Sequence, residues 1–508
     1  MIVTVDLAVY PLELVLRTCH AFTARCYVFP REAENGRLHV EFVPRDQRDS
    51  LDGFAGELAN ALLDGRLRAL IADETRATSS SRIFDSCSLA PFELLATKYR
   101  TKKAFLDGFT SLHIFVVSLR CEHSCHYCQV SRVSADRARY DMREETARRA
   151  LDLAFRSPAP RLKIELQGGE PLLHFERVRQ LVIEGRRRAG AEQREIEFVI
   201  TTNLALLDDE MLAFFREHDV FLSTSLDGPE ELHNANRPRP GNDSYARAVA
   251  GVRRAREVLG PDRVAALMTT TRKSLQYAEE IVDEYARLGF TSIFLRPLSP
   301  YGFALRSVRS TGYSMREFLD FYVRALDAIL ELNASGTYMA ETYAQLLLTR
   351  MLTPFPTGYV DLQSPAGAGI GAVVYNYDGD VYASDEARML AEMGDRRFRL
   401  GNVHRDSYES IFGGDTLRTI VAASVAESIP GCADCAFVPW CGADPVHHYA
   451  TTGDLVPHVP TSDFHEKNFF IMKHLLSLYE RDATARRIFR SWIGGNACTE
   501  APRAVAVA

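Results

Sequence analysis

Residues Arg120–Gln129 read RCEHSCHYCQ, so three of the chain's ten cysteines, Cys121, Cys125 and Cys128, fall within eight residues. They follow an apolar run, SLHIFVVSLR (111–120), with the length and β-branched content of a buried strand. The spacing C-x3-C-x2-C lets three thiolates on one loop face a single inorganic centre. Clustered thiols in a reducing compartment point to metal or catalysis rather than to disulfides. Two centres suit such a loop. A structural zinc needs a fourth protein ligand, which His123 or His126 offers. A four-iron cluster on three cysteines keeps one iron open to another molecule.

Outward from this loop the pattern repeats. Strand-like runs at 111–120, 161–169 (RLKIELQGG), 195–203 (EIEFVITTN), 220–228 (VFLSTSLDG), 264–271 (VAALMTTT) and 291–298 (TSIFLRPL) alternate with amphipathic helical segments. Six strand–helix repeats predict an α/β fold with a parallel sheet, an open doubly wound sheet or a partial (β/α)6 TIM-like barrel. Either places its site at the C-terminal strand ends. Those ends carry Arg120 and Cys121, then Gln167-Gly168-Gly169-Glu170, Thr202 and Asn203, Ser223, Ser225 and Asp227, Thr269 and Thr271, and Arg296. Ser223, Ser225 and Asp227 alternate along one strand and so share a face. Each alone is ordinary strand-end polarity; six such ends on one rim form a site.

The chain has 508 residues, enough for two or three domains. A formal net charge of -7 argues against an electrostatic nucleic-acid binder. No secretory signal is read at the N-terminus and no apolar run reaches the length of a membrane span, so a cytoplasmic protein without membrane partners is expected. Residues 1–85 read as an α+β unit: a strand (Ile2–Val9), a helix (Leu12–Ala24), two strands (Cys26–Phe29 and Arg37–Val43) around ENGR, and a helix from Leu51 to about Ile71. A linker at 86–110, a barrel at 111–310, bridging helices at 311–360, a second cysteine-bearing domain at 361–480 and a tail at 481–508 complete the expected organisation. Within the last domain, Val373–Tyr382 is predicted as a hairpin closed by Asp378-Gly379. Cys432, Cys435 and Cys441 follow with the spacing C-x2-C-x5-C, which by itself is also half a zinc site. Cys19, Cys26 and Cys87 lie apart among apolar residues and read as inert buried thiols.

The first loop, with Tyr127 as the aromatic of C-x3-C-x-aromatic-C, resembles the signature of the radical S-adenosylmethionine (SAM) enzymes. QGGEP (167–171) falls where that family has its glycine-rich SAM-binding motif, and SLDGPEELHNANR (225–237) resembles the fourth-strand segment of its peptide-modifying subgroup. The 432–441 spacing resembles the SPASM or twitch domains of the same maturases. It departs from them at Pro445, where a further cysteine is expected, and at Ser364 and Ser384, where the family has cysteines flanking the hairpin. Residues from about 95 to 475 resemble the radical SAM maturases of the His-Xaa-Ser peptide systems. ELANALLDGRLRALIADET (57–75) resembles their small partner protein, as if naturally fused.

The resemblance implies a radical SAM barrel with one SAM-binding [4Fe-4S] cluster on Cys121, Cys125 and Cys128. One auxiliary [4Fe-4S] cluster is implied on Cys432, Cys435 and Cys441, with Asp463 as the first choice of fourth ligand and His465, Cys498 or a position left open to substrate as the alternatives. Gly168 and Gly169 would admit the SAM methionine, Glu170 its ammonium, Ser225 its ribose and Arg237 its carboxylate. Tyr127, Gln167 and the Leu295–Leu298 strand end would frame the adenine and ribose, and Thr202, Asn203 and Ser223 would complete the rim. The expected reaction is hydrogen abstraction by a 5′-deoxyadenosyl radical from a ribosomally made precursor peptide, ending in a cross-link. A flavodoxin- or ferredoxin-type donor would supply the electron. A sulfatase-type maturase, a small-molecule radical SAM enzyme and a zinc-stabilised peptide-binding protein are the rival readings.

Overall fold

The computed structural model describes residues 1–23, 26–33, 36–45, 54–59, 61–63, 66, 95, 98, 102–103, 105–130, 136–353 and 355–494. Cys87 and Cys498 lie outside them. Two compact units divide the chain, Met1–Thr97 and Lys98–Ala508.

In the first unit, β1 (Ile2–Asp6), β2 (Cys26–Ala33) and β3 (Arg37–Pro44) form an antiparallel sheet in the order β1-β3-β2. Strand β3 alternates, as a half-buried strand must. Leu38, Val40 and Phe42 are buried with Val15 and Cys19 of the helix Leu12–Ala21 and with Phe54, Leu58 and Leu62. Cys19 and Cys26 sit inside this core, as expected of inert thiols. The opposite face leaves Ile2, Tyr27, Phe29 and Val43 exposed. The parts of 51–71 that are described, 54–59, 61–63 and 66, are helical.

In the second unit, β4 (Leu112–Ser118), β5 (Arg161–Gly168), β6 (Glu195–Thr202), β7 (Val220–Ser225) and β8 (Val264–Leu267) lie side by side, all parallel. Helices Glu144–Phe155, Phe175–Glu192, Asp209–Glu217 and Ser244–Leu259 return the chain between them. One set of alternating side chains, including Phe115, Val117, Ile164, Leu166, Phe198, Ile200 and Leu222, packs against those helices. The register sets Val116 beside Gln167 and Thr201 beside Ser223 on the other face, where the sheet turns polar. Phe290, Tyr322 and Tyr343 belong to the same core as the helices Met315–Ala334 and Thr342–Leu352. Ser314 opens the first of these with a full capping box to Glu317.

The expected sixth strand departs from the pattern. Only Ser292–Ile293 (β9) of the 291–298 run is strand, and it pairs with Ala340–Glu341 (β10), apart from the main sheet. Pro297 and Pro300 bring no N–H to a ladder, so the chain leaves as irregular backbone. The sheet grows instead at its other edge. The hairpin of β11 (Ala372–Tyr375) and β12 (Asp380–Tyr382) places β11 parallel to β4, and β13 (Arg399–Asn402) follows, giving the order β13-β12-β11-β4-β5-β6-β7-β8. Gly379 turns that hairpin with φ 88°.

Where β5 ends, Gly168 adopts φ 153°, and a Cβ there would stand 1.9 Å from the Ser118 carbonyl oxygen at the end of β4. Gly169 is equally confined, with a Cβ position 2.4 Å from the Arg120 oxygen. Its N–H donates to Ser118 O at 2.8 Å and that of Glu170 to Arg120 O at 2.8 Å. Gly168→Ala is therefore expected to lower folding stability by about 1–3 kcal/mol through overpacking. The urea midpoint measures this, and an unchanged midpoint would contradict the close approach.

Candidate functional site

The cysteine loop leaves β4 and is fixed by charge at its base. Arg120 makes a bidentate pair with Asp141, Nε to Oδ1 and Nη2 to Oδ2, both at 2.7 Å, and both side chains are largely buried. Ser118 Oγ donates to the same carboxylate at 2.7 Å. The loop's far end is held by Ser124 N–H on Pro238 O at 2.7 Å and by Ser307 Oγ on His126 O at 2.8 Å. Burial pushes the Cys125 thiol up to about 12, and burial with the charges of Glu122 and Glu170 raises Cys121. Metal binding must then release thiol protons.

His123 is no spare ligand. Its Nε2 meets Ser244 Oγ at 2.9 Å, and its Nδ1 meets Glu122 Oε1 at 3.1 Å and Asn203 Nδ2 at 3.0 Å. The Cys121 sulfur and single ligand atoms of Glu122 and His123 do lie within 4.8 Å of one another. Taking them for zinc would break these hydrogen bonds. His126 is exposed.

Glu170 is fully buried and engaged by the fold itself. Its Oε1 accepts from Leu172 N at 3.0 Å and Thr202 Oγ1 at 2.7 Å, and its Oε2 from Asn203 N at 2.9 Å. Burial and the charge of Glu122 push its carboxyl up to about 8. Asn203 Nδ2 donates to Glu122 Oε1 at 2.8 Å. Thr202, Asn203 and Glu170 thus form one network tying β5 and β6 to the cysteine loop.

The strand-end reading left Asp227 without a role, and the structure gives it a central one. This buried carboxylate accepts from Tyr127 OH at 2.6 Å and from Arg237 Nη2 at 3.1 Å, with Arg237 Nε also 3.1 Å away. The Arg237 guanidinium lies over the Tyr127 ring, 5.3 Å from its centre. Asp227 N–H donates to His233 Nδ1 at 3.3 Å, so the proton of His233 sits on Nε2, facing Ser244 Oγ at 3.1 Å. One anion therefore positions both Tyr127 and Arg237. Its signal was present in the sequence, in phase with Ser223 and Ser225.

Gln167 Nε2, Ser223 Oγ and Glu122 Oε2 are buried with no hydrogen-bond partner among the described residues. Buried polar atoms left unpaired are costly, so this rim fits a polar ligand, as SAM would be. Three neighbouring thiols and a cationic Arg237 complete that fit.

Beside the rim lies a cavity of about 250 Å3, bounded by the irregular stretch Phe294–Pro300, with Leu298 and Arg296 in its wall. Leu298 N–H is held by Tyr313 OH at 2.6 Å. Tyr301 and Ala304 also line the cavity, and Gly302 between them presses on the first cysteine loop: a Cβ there would be 2.3 Å from Gln129 O. Across the cavity stand Asp361, Glu386, Asp444 and Asp463 with Lys467 and His447. Burial, then Asp361 and Asp444, push Glu386 up to about 8; burial and Asp444 push Asp361 up to about 6. Asp444 is held as the N-cap of Pro445–Thr452 through the N–H groups of Val446 and His447, at 3.1 and 2.9 Å.

Cys432, Cys435 and Cys441 lie on a run of tight turns, with Cys435 N–H on Cys432 O and Cys441 N–H on Phe437 O, both at 3.0 Å. Burial pushes Cys441 up to about 11. Gly442 packs against the carbonyls of Gln363 and Asp361, where a Cβ would fall within 2.5 and 2.6 Å. Asp463 opens the helix Asp463–Arg481 and faces the cavity, where its charge acts on His447. Ser384 caps the helix Asp385–Glu392, and Ser364 Oγ accepts from Ala426 N at 2.9 Å and donates to Glu427. Where the resembled family has cysteines, these two hydroxyls serve the fold.

Because Glu386 binds its proton more tightly folded than unfolded, it favours the folded state below its ordinary value of 4.5, and that contribution fades as pH rises toward 8. Glu386→Gln, neutral throughout, is expected to gain stability over the wild type as pH rises from about 5 to 8. Paired urea titrations measure this, and a pH-independent difference would contradict it.

Residues 115–284 match the Radical SAM superfamily and residues 5–79 match the His-Xaa-Ser system protein HxsD. The cysteine-type anaerobic sulfatase-maturating enzyme of Clostridium perfringens (strain 13 / Type A) is 25% identical over 315 residues, 59% of this chain and 80% of that one. Native anSMEcpe, solved with AdoMet and the Cp18Cys peptide, shares the fold at a TM-score of 0.58 and 18% identity, over 75% of this chain and 99% of that one. Streptococcus suis SuiB, solved with its precursor peptide SuiA, gives 0.50 at 16% identity, over 72% and 78%.

Proposed function

Taking the chain as a radical SAM enzyme with an HxsD-like N-terminal domain, we propose that it modifies a ribosomally synthesised precursor peptide and closes a cross-link in it. The observation that carries this reading is the cavity. It adjoins the first cysteine loop through Gly302 and the second through Asp361 and Asp444, and its volume of about 250 Å3 can take an amino-acid side chain. SAM with a four-iron cluster supplies, when bound, a carbon radical able to abstract hydrogen. The chain's own residues do the rest. Cys121, Cys125 and Cys128 hold the cluster. Asp227 sets Tyr127 and Arg237 toward the rim, with Gln167, Ser223 and Ser225 on the polar face of the sheet. Gly168 and Gly169 bring the loop to the strand ends. Buried Glu386 and Asp361 face the cavity with their carboxyls raised to about 8 and about 6, so that near neutral pH the ionised form of either can take up a substrate proton.

The same reading assigns an auxiliary [4Fe-4S] cluster to Cys432, Cys435 and Cys441, with Asp463 as the fourth ligand, and a flavodoxin- or ferredoxin-type electron donor. The residue 1–85 domain is the recognition module, its exposed sheet edge taking the leader peptide by strand addition. Solved relatives holding peptides support a peptide substrate. Among the described residues no helix is long and apolar enough to cross a membrane, and we place the enzyme in the cytoplasm. Sulfatase-type maturation is the second reading, favoured by the similarity to the Clostridium enzyme; it predicts turnover independent of a leader.

Replacing Cys121, Cys125 and Cys128 together by Ala is expected to abolish reductive SAM cleavage, and retained cleavage sinks the assignment. Deleting residues 1–85 is expected to spare SAM cleavage while reducing peptide turnover at least tenfold, about 1.4 kcal/mol of transition-state binding. Undiminished turnover by the deletion variant, measured by mass spectrometry of the peptide, refutes the recognition role.

A further inference from the structure

Two buried cations, Lys102 and Arg350, hold the second cysteine loop, and Lys98 lies near Arg350. Lys98 Nζ donates to Phe355 O at 2.8 Å, and Lys102 Nζ to Val438 O at 2.6 Å. Arg350 Nε donates to Trp440 O at 2.8 Å and Nη2 to Leu362 O at 2.6 Å. Val438 and Trp440 lie between Cys435 and Cys441, so two of the three cations grip the loop itself. All are buried: Lys98 and Arg350 keep 8% of their surface, and the Lys102 side chain 4%. Among the described residues only Lys102 has a carboxylate partner, Glu427 at 3.1 Å, and Glu427 is shared with Ser364.

Backbone carbonyls satisfy these donors without cancelling their charge. Burial and Arg350 already lower Lys98 to about 7, and among the described residues one carboxylate faces Lys102 and Arg350; holding both charged is unfavourable unless an anion lies close by. The loop offers one in the thiolates of Cys432, Cys435 and Cys441, and the charge of Cys441 reaches both Lys102 and Arg350. Three thiolates on an iron–sulfur core leave a net negative group, and each electron added makes it more negative. Fixed positive charge favours the reduced state, because reduction potential follows net charge and the surrounding field.

Resting on the auxiliary-cluster reading, we propose that Lys102 and Arg350, with Lys98 beside Arg350, form an electrostatic clamp that raises the reduction potential of the group held by Cys432, Cys435 and Cys441, fitting it to accept an electron. In the proposed reaction the donor is the carbon radical left on the peptide. It gives up one electron and, as the new bond closes, one proton. Lys102 and Arg350 are positioning residues: they act through the loop and touch no substrate.

The test uses the full chain, purified without oxygen and reconstituted with iron and sulfide, with redox titration followed by EPR. Lys102→Met and Arg350→Met are each expected to lower the midpoint of the auxiliary signal by at least tenfold in the reduction equilibrium constant, about 59 mV for one electron. Lys102→Arg and Arg350→Lys are expected to keep the wild-type midpoint. An unchanged midpoint in both Met variants, with iron content intact, overturns the proposal. Loss of the auxiliary irons in the Met variants but not in the charge-conserving pair supports it. Loss in all four variants overturns it in favour of a packing role. A wild-type protein with about four irons and no second signal is a different failure, that of the auxiliary-cluster reading itself.

Discussion

The closest constraint in the molecule is the contact between the ends of β4 and β5. Gly168 and Gly169 bring their backbone onto the carbonyls of Ser118 and Arg120, where no Cβ fits. That contact fixes where the cysteine loop leaves the sheet. Arg120 is then within reach of Asp141, and Glu170 turns inward to gather Thr202 and Asn203. The site's first layer is therefore backbone packing, and its hydrogen bonds follow from it. The glycines of QGGEP are accounted for by the chain's own close approach before any ligand is considered.

Charge is the second organising term. Two buried groups carry opposite problems. The cavity gathers Asp361, Glu386 and Asp444, whose protons are held tightly because burial and mutual repulsion disfavour the ionised forms. The second cysteine loop gathers Lys102 and Arg350, with Lys98 beside Arg350 and a single carboxylate among them. Between these regions the chain passes through Asp361–Gln363 and Gly442, whose tight packing couples the cavity wall to the cysteine turns.

Much of this was legible in the sequence. Parallel strands β4 to β8 follow from apolar runs alternating with amphipathic helices, and the rim residues follow from reading the last positions of each run. The 373–382 hairpin was visible in Asp378-Gly379, but its partner was not, since a turn signal says nothing about which edge the hairpin joins. The sixth strand was misread because TSIFLRPL has strand composition while its Pro297, and Pro300 just beyond it, withhold N–H groups from a ladder. Asp227 was seen as one of a polar row, yet its grip on Tyr127 spans 100 residues and has no local signature. The same holds for Lys98, whose partner carbonyl lies 257 residues away.

By itself the sequence determined the three-cysteine loop, the strand–helix alternation, the glycine pair and the second cysteine spacing, because each is a local pattern set by backbone geometry or ligand spacing. Only the tertiary structure decided which charges meet: Asp227 with Tyr127 and Arg237, Asp361 with Glu386 and Asp444, and Lys102 and Arg350 on the carbonyls of Val438 and Trp440. Those encounters depend on how distant segments are brought together by core packing. Burial then turns ordinary acidic and basic residues into groups whose neighbours set their protonation.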